Sequence, residues 1–139
     1  MKRTREQGSA AVEFALLLPV LVLLIFGIIE FGVLLYDQQV ITNASREGAR
    51  YGIRDNGGIY YNYWQIQTVV DNYINTRLIS FGFWPAWPIV TTPNGTCTAF
   101  GNPANGLQVS VAYQYTFLVL GNFGFRSPLL TARTTMTCE

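Results

Sequence analysis

The feature that most constrains this chain is an unbroken apolar run, Phe14 to Leu35, set directly behind a basic N-terminus. Its 22 residues are mainly Leu, Ile, Val and Phe, and as an α-helix they extend about 33 Å at 1.5 Å per residue. A bilayer's hydrocarbon core is about 30 Å thick, so the run predicts one transmembrane helix. Lys2, Arg3 and Arg5 precede the span, and the next basic residue is Arg46. The positive-inside bias therefore keeps the N-terminus cytoplasmic and sends the remainder across. Arg46 and Arg50 weaken that bias without reversing it. A cleaved secretory signal also pairs a basic region with an apolar one, but its apolar core is about 7–15 residues long and a small-residue site follows. Here the run is longer, contains Glu30 and has no A-x-A pattern after it.

What remains outside the membrane is one small head. The formal charge is +1, from nine Lys+Arg against eight Asp+Glu, so no polyelectrolyte surface exists for nucleic acid. The head's carboxylates are Asp55, Asp71 and the terminal Glu139, and it has neither histidine nor lysine. General acid–base chemistry lacks its usual groups, and no glycine loop of the phosphate-cradling type is present. The expectation is a protein that is not an enzyme, with no small-molecule substrate, cofactor or metal. Cys97 and Cys138 both fall on the exported side, where an oxidising compartment permits a disulfide. Without histidine they cannot form a Cys/His metal site or a Cys–His nucleophile. A bridge between them would stabilise by about 4 kcal/mol in the chain-entropy model; the alternative is two unpaired small residues.

Nothing interrupts the pattern after the span. Val33, Asp37, Val40, Ile41, Ala44, Gly48 and Tyr51 continue at three- and four-residue spacing, which predicts one helix from about Ala10 to Ile53. The cluster Asp55-Asn56-Gly57-Gly58 ends it with turn chemistry. A second helical stripe starts near Tyr60 and carries Tyr63, Ile66, Val69, Val70, Tyr73, Ile74 and Arg77. Two prolines keep Phe81, Phe83, Trp84 and Trp87 out of that helix and make them an aromatic loop. From Leu107 the period becomes two, as far as Phe117, and it returns from Leu130 to Cys138. These are two half-buried strands of an antiparallel hairpin, with Ile89 to Thr92 as a third strand. The fold class is α+β: a long N-terminal transmembrane helix continuing into a stalk, then a small head with one helix on an antiparallel sheet of about three strands. The divisions are a leader over 1–8, the span over 9–36, the stalk over 37–54 and the exported head over 55–139.

The start of the span reads Gly8-Ser9-Ala10-Ala11-Val12-Glu13-Phe14. A carboxylate at the edge of a span is costly and calls for a partner. If the chain were cut between Gly8 and Ser9, Glu13 would become the fifth residue and Ser9 would carry a free α-amine. Staggered neighbouring copies could then pair Glu13 with that amine, made selective by desolvation. On the bland reading, Glu13 is a helix N-terminal anion worth about 0.3–1 kcal/mol. Glu30 sits in the outer part of the span, and Asp37, seven residues on, projects from nearly the same face. Glu30 either meets a basic group in an assembly platform as an intramembrane contact or reaches toward the interface about a turn and a half away.

Gly8 with Glu13-Phe14 resembles the processing site of type IV prepilins. The longer string from Gly8 to Pro19, then Gly27-Ile28-Ile29-Glu30-Phe31-Gly32, then Ala44-Ser45-Arg46-Glu47-Gly48-Ala49-Arg50-Tyr51, resembles the TadE-like family of tight-adherence (Flp-type) pilus systems. The resemblance covers about residues 8 to 52. It implies a minor pilin or pseudopilin in the bacterial inner membrane, single-pass with a periplasmic head, or on the pilus or cell surface. By position, Gly8 and Ser9 would flank the bond cut by a prepilin peptidase, Glu13 would be the assembly carboxylate, and Phe14 the aromatic beside it. The implied partners are the membrane, that peptidase, other pilin-like subunits and the pilus assembly platform. The alternative function is a membrane-anchored periplasmic binding protein that uses the aromatic loop.

Overall fold

Helix α1 runs unbroken from Arg3 to Gly52, with Pro19 accommodated inside it. The computed structural model describes residues 3–54, 59–80, 87–98 and 106–138, with the side chains of residues 3–7 left aside. The basic leader side chains, the turn at 55–58 and Phe81, Phe83 and Trp84 of the aromatic loop therefore lie outside the described residues. Two regimes share α1. From Gly8 to Ile29 every residue but the half-buried Gly27 is exposed. From Glu30 onward a buried stripe appears, comprising Glu30, Asp37, Val40, Ile41, Ala44, Ser45, Gly48, Ala49 and Gly52. That spacing is the one a 3.6-residue repeat produces when one face is covered.

The covering is supplied by helix α2 (Tyr63–Asn75) and a three-stranded sheet of β1 (Ile89–Thr91), β2 (Leu107–Gln114) and β3 (Leu129–Met136). Asn62 starts α2 through a capping box: its side chain accepts from the Gln65 amide, and the Gln65 side chain accepts from the Asn62 amide. The predicted stripe of α2 is buried at Ile66, Val70 and Ile74. All strand pairs are antiparallel, in the order β1-β2-β3. Leu107 pairs with Met136 at one end of the hairpin and Gln114 with Leu129 at the other. β2 alternates as expected, with Leu107, Val109, Val111 and Tyr113 inward. It ends at Gln114, three residues before the sequence period runs out at Phe117, although the Tyr115 amide still donates to the Pro128 carbonyl at 3.1 Å.

These elements close one core. Ile41 and Ala44 of α1, Ile66, Val70 and Ile74 of α2, and Val109, Val111 and Tyr113 of β2 are packed together. Close approach of the helices depends on small residues. A Cβ on Gly48 would lie 2.5 Å from Val70 Cγ2, and one on Gly52 would lie 2.5 Å from Leu107 Cδ2. The fold class is thus the α+β arrangement expected, and the head packs on α1 from Glu30 onward. Cys97 and Cys138 form a disulfide, Cα to Cα 5.9 Å, beside the Leu107–Met136 end of the hairpin.

Candidate functional site

Each end of α1 has its own chemistry. At the N-terminal end Gly8, Ser9 and Glu13 lie on exposed helix, and Phe14 is 61% exposed. A Cβ added to Gly8 would meet nothing within 4 Å. The residues singled out for processing and assembly are therefore grouped on one helical segment and free of the head. The whole most apolar 18-residue window of α1 is likewise uncovered by the rest of the chain. An uncovered helix that is apolar all round is stable only against lipid or other apolar helices.

The other end is a junction built around two carboxylates. Glu30, 2% exposed, accepts from the Val119 amide through Oε1 at 2.6 Å and from the Leu120 amide through Oε2 at 3.0 Å. Those amides open a short 3-10 helix, Leu120–Phe123, in the connection between β2 and β3. Unpaired amide donors at a helix start are strong acceptor sites, and a carboxylate bridging two of them makes short, charge-assisted bonds. The Tyr115 hydroxyl donates to the Glu30 carbonyl at 3.3 Å, and its ring meets Phe117 edge-on, with centroids 5.4 Å apart. Glu30 is thus clamped at both its backbone and its side chain by one loop.

Two turns on, Asp37 is fully buried. Its Oδ1 accepts from the Ile79 amide at 3.0 Å, just after the end of α2. Its Oδ2 and the Tyr113 hydroxyl are both buried without a hydrogen-bond partner. Burial first, and the Asp37 carboxylate second, push the Tyr113 phenol above its ordinary range. The expected common face of Glu30 and Asp37 is real, and both carboxylates are turned into the chain's own head. Further along, Gln38 Nε2 donates to the Thr131 carbonyl at 3.0 Å, and the Ser45 and Thr134 hydroxyls lie 2.8 Å apart. These polar contacts tie α1 to β3.

Sequence reasoning missed the descending loop. Leu118, Val119, Leu120, Phe123 and Phe125 surround the turn residues Gly121, Asn122 and Gly124, and that apolar content is too high for a turn in water. The signal was there to be used. Trp87 of the aromatic loop is 78% exposed. Among the described residues no three His, Cys, Asp or Glu side chains converge to hold a metal ion.

Comparison with protein families matches residues 8–50 to TadE-like protein, the family whose strings the sequence carries. The matched segment runs from the first residue of the processing string to the seam of small residues in α1. TadE-like proteins are associated with tight-adherence pilus systems and are structural. No curated protein and no solved structure matches the chain.

Proposed function

We propose that this chain, TadE-like over residues 8–50, acts as a minor pilin or pseudopilin of a tight-adherence (Flp-type) pilus system. Its task is pilus assembly or initiation, performed by packing its transmembrane helix against other pilin-like subunits and the assembly platform. The observation that carries this reading is the uncovered first half of α1, in which Glu13 is the sole charged residue between Gly8 and Ile29. Within a bilayer such a carboxylate needs a partner. Among the described residues the two amides that bridge a carboxylate are taken by Glu30 at the far end of the span, and the partner proposed for Glu13 comes from another molecule. A new α-amine at Ser9, made by a prepilin peptidase cutting after Gly8, supplies one on each neighbouring subunit. The basic leader and the disulfide independently favour the same orientation, with the N-terminus cytoplasmic and the head in the oxidising periplasm.

The test is complementation of a deletion strain, with terminal sequencing of the membrane-extracted protein. The mature chain should begin at Ser9, and Gly8→Leu should abolish cutting while leaving insertion intact. Glu13→Gln should be inserted and cut normally yet fail to support piliation. Were Glu13 only a helix-terminus anion, its loss would cost about 0.3–1 kcal/mol and pili would still form. Met1 retained in a peptidase-competent host, or normal piliation with Gln at position 13, would overturn the proposal.

A further inference from the structure

The loop between β2 and β3 does something a connecting loop in water has no reason to do. It leaves the sheet at Gln114, passes Glu30 and lies alongside the apolar half of α1, where Phe123 and Val119 share a groove with Pro19, Val22, Leu23 and Phe26. Val22 to Phe26 lie four to eight residues on the N-terminal side of Glu30, about 6–12 Å along the helix axis. At its tip Leu118, Phe123 and Phe125 are 53%, 61% and 58% exposed. Phe123 thus joins the uncovered apolar surface of the helix, and Leu118 and Phe125 add further exposed apolar surface on the same loop.

We propose that residues 117–125 form a membrane-inserted element, with Leu118, Phe123 and Phe125 embedded among the acyl chains of the leaflet on the head's side. This rests on α1 spanning a bilayer. Irregular backbone is tolerated at membrane depth only when its polar groups are satisfied from within the protein. Five of the nine amides of residues 117–125 are met in this way: the two Glu30 carboxylate oxygens take the leading amides of the loop's 3-10 helix, and the Asn122, Gly124 and Phe125 amides bond to carbonyls inside the loop. Arg126, exposed directly after Phe125, stands where a basic side chain can reach phosphate groups. The placement also sets the register of the span. With the inner boundary near Ala10, about 30 Å of helix ends at Glu30, so the carboxylate lies at the interface and the loop tip below it. If the span instead ran from Phe14 to Leu35, the tip would lie deeper still. Both registers put Phe123 in hydrocarbon.

The full-length protein, disulfide intact, would be reconstituted in phosphatidylcholine vesicles as three nitroxide-labelled variants: Leu17→Cys in the span, Phe123→Cys in the loop and Thr135→Cys on the exposed side of β3. Collision with oxygen, which concentrates in lipid, would be compared with collision with a water-soluble nickel chelate. Positions 17 and 123 should be open to oxygen and shielded several-fold from nickel relative to position 135. Adding Glu30→Gln to the Phe123→Cys variant should raise label mobility and nickel access, since an amide offers one acceptor where two donors converge. Position 17 shielded but position 123 as open to nickel as position 135 would overturn the loop insertion and leave the span standing. Nickel access at both 17 and 123 would overturn the span reading and the insertion with it. A label at 123 immobile and closed to both reagents would mean that a protein surface covers the loop, which also overturns the proposal.

Discussion

Asp37 shows how one residue joins two parts of the fold. It is the only charged residue between Glu30 and Arg46, and full burial of a carboxylate is tolerated only with hydrogen-bond partners. One oxygen holds the Ile79 amide, which fixes the chain where it leaves α2, and the other is buried without a hydrogen-bond partner. Asp37→Ala removes the acceptor and leaves a part-buried N–H unpaired, at a cost of about 1–3 kcal/mol. Asp37→Asn keeps a carbonyl to accept from the Ile79 amide and removes a buried charge, so it should cost clearly less. Denaturant unfolding of the detergent-solubilised protein measures both changes, and hydrogen exchange at Ile79 places them. Equal, negligible losses for Ala and Asn, with Ile79 protection unchanged, would show that the bond contributes nothing. The same logic separates Asp37 from Glu13: both are carboxylates on one helix, but among the described residues a partner is seen for Asp37 and none for Glu13.

Among the elements, α1 carries two different surfaces, and its Ala44–Gly52 stretch does the packing. Gly48 admits Val70 of α2, a β-branched side chain with little freedom to turn aside. An alanine there gains about 0.8–1 kcal/mol of helix propensity against about 1–3 kcal/mol for overpacking, so its net effect lies between nil and about 2 kcal/mol destabilising and does not discriminate. Gly48→Leu is the discriminating change, because the added atoms cannot fit without parting the helices. It should destabilise the head by about 1–3 kcal/mol or more, whereas Gly27→Leu, with nothing within 4 Å of the added Cβ, should leave head unfolding unchanged. A thermal or denaturant scan of the two variants side by side decides it, and equal midpoints would contradict the packing described. This seam explains why Ala44 to Tyr51 reads as a motif. Its period is visible in the sequence because a helix repeats every 3.6 residues, and the strands were visible because their side chains alternate. Both are local properties. The Glu30 clamp joins residues 89 and 90 positions apart, and no period encodes such a pairing. The dip of the β2–β3 connection is half legible: the apolar residues around its turn mark a loop that does not lie in water, but turn residues do not report what the chain reverses against.

At the scale of the whole molecule, the head is held at two opposite ends. Near the membrane the Glu30 and Tyr115 clamp fixes the Gln114–Leu129 end of the hairpin to α1, and far from it the Cys97–Cys138 bridge fixes the Leu107–Met136 end. Between them the strand contributed by β1 is only three residues long, and a head of about this size buries limited apolar surface. The bridge joins the segment after β1 to the segment after β3, with Cys97 1% exposed, across a sequence separation of 41. In the chain-entropy model that closure is worth about 4 kcal/mol, a large share of the 5–15 kcal/mol typical of a domain. Cys97→Ser with Cys138→Ser should therefore lower the stability of the head by about 4 kcal/mol without dissolving it, because the seam with α1 and the β2–β3 pairing do not pass through the bridge. The loss should be uneven. Amides of residues 89–98, held by three β1–β2 pairs, by the Tyr63 hydroxyl on the Val90 carbonyl, by Asn94 Nδ2 on the Gly106 carbonyl and by the disulfide among other contacts, should lose exchange protection first, while Val109, Val111 and the buried face of α2 stay protected. Unchanged unfolding midpoints in the double variant would refute the stabilising role, and uniform loss of protection throughout the head would show that it unfolds as one unit and not from its distal end.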